Sequence, residues 1–355
     1  MIDDAPVPGA LMAAELAEQP AVLGRLAARH AADRDRVRAA LPAAHAGTVL
    51  LARGSSDNVA VYGRYLIEMA SGRPAGLAAP SLHTRYQADV DYRGYLAVAL
   101  SQSGATPEVV QTAAAMRAAG AVVVGVTNEA GSPLTEVCEL TLLTDAGPEL
   151  AVPATKTVTA QMLAVAAIAA AFDSPLVSAD DLAALPEATA ALLDGPDAAD
   201  PAAAAGPVYP VATRWADARR LVVTGRGLAY AAALETALKI KETARVHAEG
   251  LSSADLLHGP IAALDSGLPV LVVSGGPRFA ADEAELTARL AAEGVPFAVC
   301  GAADRAELPL PAAAGEVTAP ILATVRGQQL ALTLSRALGI NPDQPQGLKK
   351  VTLTF

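Results

Sequence analysis

Short apolar runs rich in Val and Leu recur along this chain, and Ala-rich stretches with helical spacing separate them. Runs of this length without polar alternation are typical of buried parallel strands. The predicted strands are Thr48–Arg53, Tyr95–Leu100, Ala121–Thr127, Leu140–Thr144, Arg220–Thr224, Pro269–Ser274 and Pro296–Cys300. The predicted helices include Val59–Ala70, Pro107–Ala118, Thr157–Ala171, Ala229–Val246 and Ala281–Ala292. This alternation predicts an α/β protein with doubly wound parallel sheets flanked by helices.

The two halves of the chain resemble each other. The segment Leu50–Ser55 matches Leu221–Arg226 at an offset of 171, and Val98–Ser101 matches Leu271–Ser274 at an offset of 173. Two matches at nearly the same offset indicate duplication of one β-α unit.

The same pattern predicts how the chain is divided. It places N-terminal helices at 1–44, a first α/β domain at 45–175, a connector at 176–207, a second α/β domain at 208–340 and a C-terminal tail at 341–355. The connector is rich in Asp, Pro and Ala and is expected to be helical over Ala179–Leu193.

Composition narrows the classes of protein that fit. The longest apolar run, Met162–Phe172, falls short of the ~20 residues that a membrane span needs, so we expect no membrane association. The acidic N-terminus does not resemble a signal peptide, and Cys138 and Cys300 lie in apolar segments, so we expect a cytoplasmic protein with reduced cysteines. The net charge of −11 argues against nucleic acid as a partner. No Cys or His spacing indicates a metal site.

The segment Ser101-Gln102-Ser103-Gly104-Ala105-Thr106 follows a predicted strand and opens a predicted helix. A helix N-terminus offers unpaired N–H groups and a positive dipole end, so it binds phosphate well. Simple capping needs one hydroxyl, whereas this loop carries three within six residues. We therefore interpret it as a phosphate-binding loop. In the second half the corresponding Ser274-Gly275-Gly276-Pro277 lacks two of these hydroxyls, so the phosphate is assigned to the first half.

A second strand-to-helix turn, Gly54-Ser55-Ser56, is expected at the same carboxyl edge of the sheet, where open α/β sheets bind their ligands. A turn of this kind is by itself usually structural. Beside the serine loop, Ser55 and Ser56 become candidate substrate-binding residues.

The second half carries candidate catalytic side chains. Lys239 and Glu242 are spaced i, i+3 on a predicted helix that is mostly apolar, so burial is expected to tune their pKa values. Spacing of this kind more often gives a surface ion pair. His258 precedes a Gly-Pro break, and Lys350 lies in a tail whose alternating apolar residues predict docking on the body of the protein.

Together these segments resemble the isomerase portion of glutamine–fructose-6-phosphate aminotransferase and the stand-alone double sugar-isomerase-domain (SIS) proteins, which include glucosamine-6-phosphate deaminases and fructosamine-phosphate deglycases. The resemblance runs over about residues 12–355 and implies two tandem flavodoxin-like SIS domains. The motifs that carry it are Gly54-Ser55-Ser56, Ser101-Gln102-Ser103-Gly104-Ala105-Thr106, Gly147-Pro148-Glu149, Thr155-Lys156, Lys241-Glu242, His247-Ala248-Glu249, His258-Gly259-Pro260 and Leu348-Lys349-Lys350-Val351-Thr352.

The resemblance implies a role for each matching position. Those that would bind substrate are Ser101, Gln102, Ser103 and Thr106 for the phosphate, and Ser56 and Val152 for the sugar. Glu242 would move a proton between C1 and C2, and Lys239 would assist it. His258 would promote ring opening across a subunit interface, which implies a homodimer with shared active sites.

The resemblance also implies that Lys350 forms a Schiff base with an open-chain ketose. The tail departs from the pattern here, because Lys349 stands where the synthase has a small residue and one residue after Lys350 is missing. Ile2 follows Met1 where the synthase has a nucleophilic Cys, so we expect no use of glutamine by this chain alone.

The resemblance implies conversion of glucosamine-6-phosphate to fructose-6-phosphate and ammonia, with no cofactor. One alternative is a deglycase for fructosamine-6-phosphate-type substrates, which would share the site but need a roomier pocket. Another is a non-catalytic sensor of sugar phosphates, which would keep the serine loop without needing Glu242, His258 and Lys350.

Overall fold

The computed structural model describes residues 7–194, 206–302, 304, 306–312 and 314–350. Part of the predicted connector, 195–205, and the last part of the predicted tail, 351–355, lie outside the described residues. The described residues contain no helix that is both long and apolar enough to cross a bilayer.

Strands and helices alternate through most of the chain. The strands are β1 Gly47–Leu51, β2 Ala75–Leu77, β3 Tyr95–Leu100, β4 Val122–Thr127, β5 Leu140–Leu143, β6 Arg220–Gly225, β7 His247–Ser252, β8 Val270–Val273, β9 Phe297–Ala302 and β10 Leu308–Leu310. The α-helices are α1 Ala10–Ala17, α2 Gln19–Ala40, α3 Ser55–Ser71, α4 Ser81–Thr84, α5 Pro107–Ala118, α6 Pro133–Val137, α7 Lys156–Ala170, α8 Ala179–Leu193, α9 Val208–Trp215, α10 Ala229–Ala244, α11 Ser253–Leu257, α12 Ala280–Ala292 and α13 Ala319–Ala337.

These elements form two compact units that do not follow chain order. The N-sheet unit comprises 21–148 and 156–184, and the C-sheet unit comprises 7–20, 149–155 and the described residues of 185–350. Helix α1, which lies in the predicted N-terminal helices 1–44, and the short segment Glu149–Thr155, which lies in the predicted first α/β domain 45–175, both belong to the C-sheet unit.

The N-sheet unit is built on a five-stranded parallel sheet with the order β2-β1-β3-β4-β5. Helices α3 and α7 pack together, and every residue of α7 is buried. Helices α5 and α6 also pack together, and they share a core with sheet residues such as Leu51, Ala97 and Val123. Apolar side chains on both sides of β3 explain why this strand lacks polar alternation.

The C-sheet unit contains the second five-stranded parallel sheet, with the order β10-β9-β8-β6-β7. Helix α10 packs against α13, and α13 also packs against α9. A separate core joins α11 and α12 to the strands through Leu256, Leu286, Leu290, Val222 and Val272. Read from β7, the order repeats that of the first sheet, which confirms the predicted pair of doubly wound, flavodoxin-like domains.

Strand register supports the duplication and corrects one of the two offsets. Val98 pairs with Leu50, and the matching Leu271 pairs with Val223, so the offset is 173 at both strands and the predicted 171 is wrong. The offset of 171 aligns Gly225 with Gly54, but Gly225 is still part of strand β6, whereas Gly54 lies in the turn after β1. Gly227, with φ +62°, therefore takes the place of Gly54, with φ +60°.

The sequence pattern missed three strands. Strands β2 and β10 have three residues each, too few to give a periodic signal, and both lie at sheet edges. Strand β7 is also an edge strand and carries the exposed polar residues His247 and Glu249. An exposed edge strand can carry polar residues, so it lacks the apolar run that identifies a buried strand.

Several predicted boundaries shift for local reasons. Helix α10 ends at Ala244 and not at Val246, because Arg245 adopts a left-handed conformation with φ +55°. Helix α3 begins at Ser55, four residues before the predicted start, because the Gly54 turn leads directly into it.

Candidate active site

The serine loop joins β3 to α5 in the N-sheet unit. Ser101 is buried, its amide donates to the Val126 carbonyl on β4, and its Oγ lies 3.3 Å from Thr106 Oγ1. Thr106 is the N-cap residue of α5, yet its side chain does not cap the helix. The Ala105 amide donates to Ser103 Oγ over 3.3 Å. The predicted residues Ser101, Gln102, Ser103 and Thr106 therefore form one compact turn at a helix N-terminus, a setting that favours an anion.

Gly104 allows this turn to pack tightly against the next loop. Its φ is +59°, its amide donates to the Ser101 carbonyl, and its carbonyl accepts from the Leu134 amide at 2.9 Å. A Cβ atom at this position would collide with the Ser132 hydroxyl and lie 2.8 Å from Thr127 Oγ1. The loop therefore needs glycine for both its backbone conformation and its packing.

The Gly54 turn follows β1, the strand next to β3, so both turns stand at the carboxyl edge of neighbouring strands. Ser55 begins α3, and Ser56 behind it is buried. Arg53 Nε donates to Glu108 Oε2 over 2.8 Å and so ties this turn to the first turn of α5. The fold thus brings the predicted Ser55 and Ser56 to the sheet edge that also carries the serine loop.

In the C-sheet unit, one face of α10 carries a ladder of charges. Lys239 is 1% exposed, its Nζ bonds to Glu242 Oε2, and it lies 3.5 Å from Glu235 Oε1. The Glu235 side chain is buried, whereas the Glu242 side chain is 23% exposed. The predicted pair of Lys239 and Glu242 is therefore real and largely buried, and Glu242 is the member that a ligand can reach.

Two opposing effects act on the pKa of Lys239. Burial disfavours the ammonium and lowers the pKa, but the carboxylates of Glu235 and Glu242, with a contribution from Glu149, outweigh it and raise the pKa. The two neighbouring carboxylates therefore favour the ammonium form of Lys239. It can donate hydrogen bonds and stabilise negative charge.

The segment Glu149–Thr155 receives the C-terminal tail of the same unit. The Glu149 side chain is fully buried, and its Oε1 accepts from the amide and the hydroxyl of Thr155 at 2.9 and 3.3 Å. Its Oε2 accepts from Lys350 Nζ at 2.7 Å, and Lys350 also donates to the Ala151 carbonyl over 2.7 Å. The predicted docking of the tail is observed up to Lys350, and Glu149 holds its ammonium.

Two further carboxylates position this segment and the tail. Glu15 Oε1 accepts from the amides of Leu150 and Ala151, and burial raises the pKa of Glu15 while these amides oppose the rise. Asp343 accepts from the Met12 amide at 2.9 Å, and its carbonyl accepts from the Val152 amide at 3.1 Å. The predicted sugar contact Val152 is thus fixed through its backbone.

His258 differs from the other predicted catalytic residues because it is exposed at the end of α11. Within the described residues, no group of three or more His, Cys, Asp and Glu side chains converges as a metal site would. Cys138 and Cys300 are free thiols, and burial raises the pKa of each to about 12, so neither is a thiolate at neutral pH.

The second copy of the serine loop, between β8 and α12, is filled by a carboxylate side chain of the protein itself. Glu283 accepts from Ser274 Oγ at 2.8 Å and from the Gly275 amide at 2.6 Å. The Phe279 ring takes the position equivalent to Thr106 and packs so closely that a Cβ atom on Gly275 would lie 2.5 Å from it. The protein's own carboxylate thus occupies the donors that a phosphate would use.

The SIS domain sequence profile matches residues 45–171 and 215–304. The chain belongs to the SIS-domain phosphosugar isomerase family. It is 34% identical over 351 residues to glutamine–fructose-6-phosphate aminotransferase (isomerizing) of Aeropyrum pernix, covering 96% of this chain and 56% of that protein. The chain spans about half the length of the curated relatives it matches.

Solved structures agree with this family. A protein from Silicibacter pomeroyi, provisionally named a phosphosugar isomerase, is 31% identical with a TM-score of 0.83, and the match covers 95% of this chain and all of that one. Glucosamine-6-phosphate deaminase from Thermotoga maritima has a TM-score of 0.79 at 20% identity, over 97% of this chain and all of that one, and shares the fold.

Within this SIS protein, the sequence pattern missed four carboxylates of the site. Glu235 had a usable signal, because it lies four residues before Lys239 on the same helix. Glu149 lies in the Gly147-Pro148-Glu149 motif, to which the sequence pattern assigns no role. Glu15 and Asp343 had no signal, since the amides that Glu15 binds lie 135 and 136 positions away and the Met12 amide that Asp343 binds lies 331 positions away.

Proposed function

We propose that this chain is an aldose–ketose isomerase that deaminates an amino-sugar phosphate, converting glucosamine-6-phosphate to fructose-6-phosphate and ammonia. The observation that carries the proposal is the α10 pair, in which the partly exposed Glu242 carboxylate bonds to the buried Lys239 ammonium. Such a carboxylate can exchange a proton with substrate while the cation stabilises the charge that develops. The names of the relatives, phosphosugar isomerase and isomerizing aminotransferase, support the same class of reaction.

Substrate binding is proposed to depend on hydroxyl and backbone donors. The phosphate is bound by Ser101, Gln102, Ser103 and Thr106, and the sugar is contacted by Ser55, Ser56 and Val152. The phosphate takes no part in the chemistry, but its binding energy positions the reacting carbons. The support is the clustering of three hydroxyls at the N-terminus of α5.

The reaction moves one proton between neighbouring carbons and another from nitrogen to oxygen. After ring opening, Glu242 removes the proton from C2 and returns it to C1, while one N–H proton of the amine passes to the C1 oxygen, so the aldehyde becomes an alcohol and the C2 amine becomes an imine. Lys239 stabilises the negative charge on oxygen in between. Water then adds to C2, the C–N bond breaks and ammonia leaves, which yields the ketose phosphate.

Two further residues have proposed roles. His258 promotes ring opening in the site of a second subunit, consistent with its exposure on this chain. Lys350 forms a Schiff base with the open-chain ketose. Because Glu149 binds the Lys350 ammonium, that lysine must lose a proton before its nitrogen can attack a carbonyl.

The proposal is tested by Glu242→Gln, which keeps the shape of the side chain but cannot accept the proton. We expect ammonia release from glucosamine-6-phosphate to fall by ~10²–10⁴-fold, while calorimetric binding of the sugar phosphate is retained. Glu285→Gln, an exposed carboxylate on α12, is the matched control. Unchanged turnover in Glu242→Gln would remove this residue from the mechanism.

The shared site is tested by mixing two inactive variants, Glu242→Gln and His258→Ala. If His258 acts in the partner's site, each hybrid dimer contains one intact site, and random exchange restores about a quarter of the wild-type activity. If both residues act within one subunit, mixing restores nothing.

A further inference from the structure

Glu15, on α1, holds the backbone between the two groups that bind Lys350. Its Oε1 accepts from the Leu150 amide and, at 3.1 Å, from the Ala151 amide. The carboxylate of Glu149 comes just before these amides in the chain, and the Ala151 carbonyl comes just after them. Lys350 Nζ donates to both groups over 2.7 Å. The position of the Lys350 ammonium therefore depends on the same short stretch of backbone that Glu15 fixes.

Helix α1 is itself fixed by the segment that leads to Lys350. Asn341 Oδ1 accepts from the Gly9 amide at 3.0 Å, and the Asp343 carboxylate accepts from two amides in the first turn of α1. The contacts thus run from the tail to α1, from α1 through Glu15 to the backbone that it holds, and from there back to Lys350. All of these residues belong to the C-sheet unit. Movement of Lys350 away from its acceptors therefore breaks a closed set of hydrogen bonds.

The geometry at Glu15 indicates which property of this side chain matters. Glu15 is 4% exposed, and a single oxygen, Oε1, accepts from both amides. Among the described residues, its other oxygen, Oε2, is buried and makes no hydrogen bond. Loss of Oε1 would be destabilising, because the Ala151 amide would lose its partner in a buried setting. The contact therefore needs the length of the side chain and one acceptor oxygen.

We propose that Glu15 is a positioning residue for Lys350. By holding the two amides it sets where the Glu149 carboxylate and the Ala151 carbonyl stand, and these two acceptors set where the Lys350 nitrogen stands. An attacking nitrogen has to lie within about 3–3.5 Å of the carbon that it attacks, so a shift of its acceptors moves it out of range. The inference rests on the proposed function for the reaction of Lys350, whereas the contacts that fix this lysine do not depend on it.

Two single substitutions separate the hydrogen bonds of Glu15 from its charge. Glu15→Gln keeps the length of the side chain and an acceptor oxygen but carries no charge. Glu15→Asp keeps the charge but is one methylene shorter, so its oxygens do not reach the two amides. Positioning through the amides therefore predicts that the Gln variant behaves like the wild type and that the Asp variant does not. The same two changes at Glu18, which is exposed at the end of α1, are the matched controls.

The first measurement needs no substrate. It is the rate at which an amine-acylating reagent labels Lys350 relative to the exposed Lys349, resolved by peptide mass spectrometry. Glu15→Asp should raise this ratio by about fivefold, because the acceptors of Lys350 lose their fixed positions. Glu15→Gln and both Glu18 variants should stay within about twofold of the wild type. Urea denaturation identifies conditions in which every variant is folded, so that the ratio reports on the native state.

The second measurement mixes the protein with fructose 6-phosphate and borohydride, which reduces an imine on Lys350 to a stable amine. Glu15→Asp should lower the yield of this adduct by at least about tenfold, while the calorimetric affinity for fructose 6-phosphate stays within about threefold. If the wild-type protein forms no adduct, only the Schiff-base role of Lys350 is rejected, and the labelling ratio still decides the role of Glu15. An unchanged ratio in Glu15→Asp, or a larger change in Glu15→Gln than in Glu15→Asp, overturns the inference.

Discussion

At the scale of single residues, the central feature is a buried lysine held between two carboxylates on one helix. Lys239 contacts Glu235 and Glu242, and each of these interactions compensates for the loss of water around its charge. Removal of one member of such a set leaves the others buried and uncompensated, which costs far more than the set contributes as a whole. Substitution of any of these three side chains is therefore expected to be destabilising, and the intact set keeps Glu242 beside the Lys239 ammonium.

The first prediction compares two lysines on this helix. Lys239→Met should lower the free energy of unfolding by ~3 kcal/mol, because it leaves buried carboxylates without their cation. Lys241→Met, which changes an exposed side chain, should alter it by less than ~0.5 kcal/mol. Urea denaturation of the two variants measures both values. Similar destabilisation of the two would show that burial of Lys239 is not the decisive factor.

At the scale of elements, the site depends on connections between regular structure. The serine loop is fixed by hydrogen bonds to neighbouring strands and loops, and the tail is fixed by Asp343 and by the pair of Lys350 and Glu149.

The second prediction concerns two glycines with positive φ. Gly104→Ala should destabilise the protein by ~2–4 kcal/mol, because it adds a collision with Ser132 to the strain of the left-handed backbone. Gly131→Ala is the matched control, since φ is +73° there and a Cβ atom would meet nothing within 4 Å. The control should cost only ~1–2 kcal/mol in thermal or urea unfolding. Equal losses would contradict the close packing of Gly104.

The third prediction concerns the tail. Glu149→Gln should increase the rate at which an amine-acylating reagent labels Lys350 by roughly tenfold, equivalent to ~1.4 kcal/mol, since the ammonium loses its charged acceptor. Lys349, which is exposed, provides an internal reference in the same chain and should label at an unchanged rate. Peptide mass spectrometry resolves the two sites. An unchanged rate at Lys350 would mean that Glu149 does not hold it in solution.

At the scale of the whole molecule, two copies of one fold have diverged in use. Both sheets have the same strand order and the same register between their first and third strands. The first copy keeps a loop of hydroxyls, whereas the second fills the corresponding loop with Glu283 and Phe279. An internal carboxylate on the loop's donors removes the reason for an external anion to bind there.

The fourth prediction follows from this divergence. Ser101→Ala should weaken calorimetric binding of glucosamine-6-phosphate by roughly tenfold, because one donor to the phosphate is lost. Ser274→Ala, the equivalent change in the second copy, should leave the affinity within about twofold, since its hydroxyl already donates to Glu283. A larger loss of affinity in Ser274→Ala than in Ser101→Ala would indicate that the phosphate binds in the second half of the chain.

The sequence by itself determined the α/β class, the duplication, the serine loop and the Lys239 and Glu242 pair. Each depends on a local pattern, such as apolar runs, a repeated segment, a strand-to-helix turn or i, i+3 spacing on one helix. The short strands β2 and β10 and the polar edge strand β7 escaped because they lack such a pattern.

Only the tertiary structure decided the contacts between distant segments. Glu149 and Lys350 are 201 positions apart, and Glu15 binds amides more than 130 positions away. It also showed that Glu283 fills the second loop. No local sequence pattern predicts these contacts, because they form between residues that are far apart in the sequence and that only the folded backbone brings together.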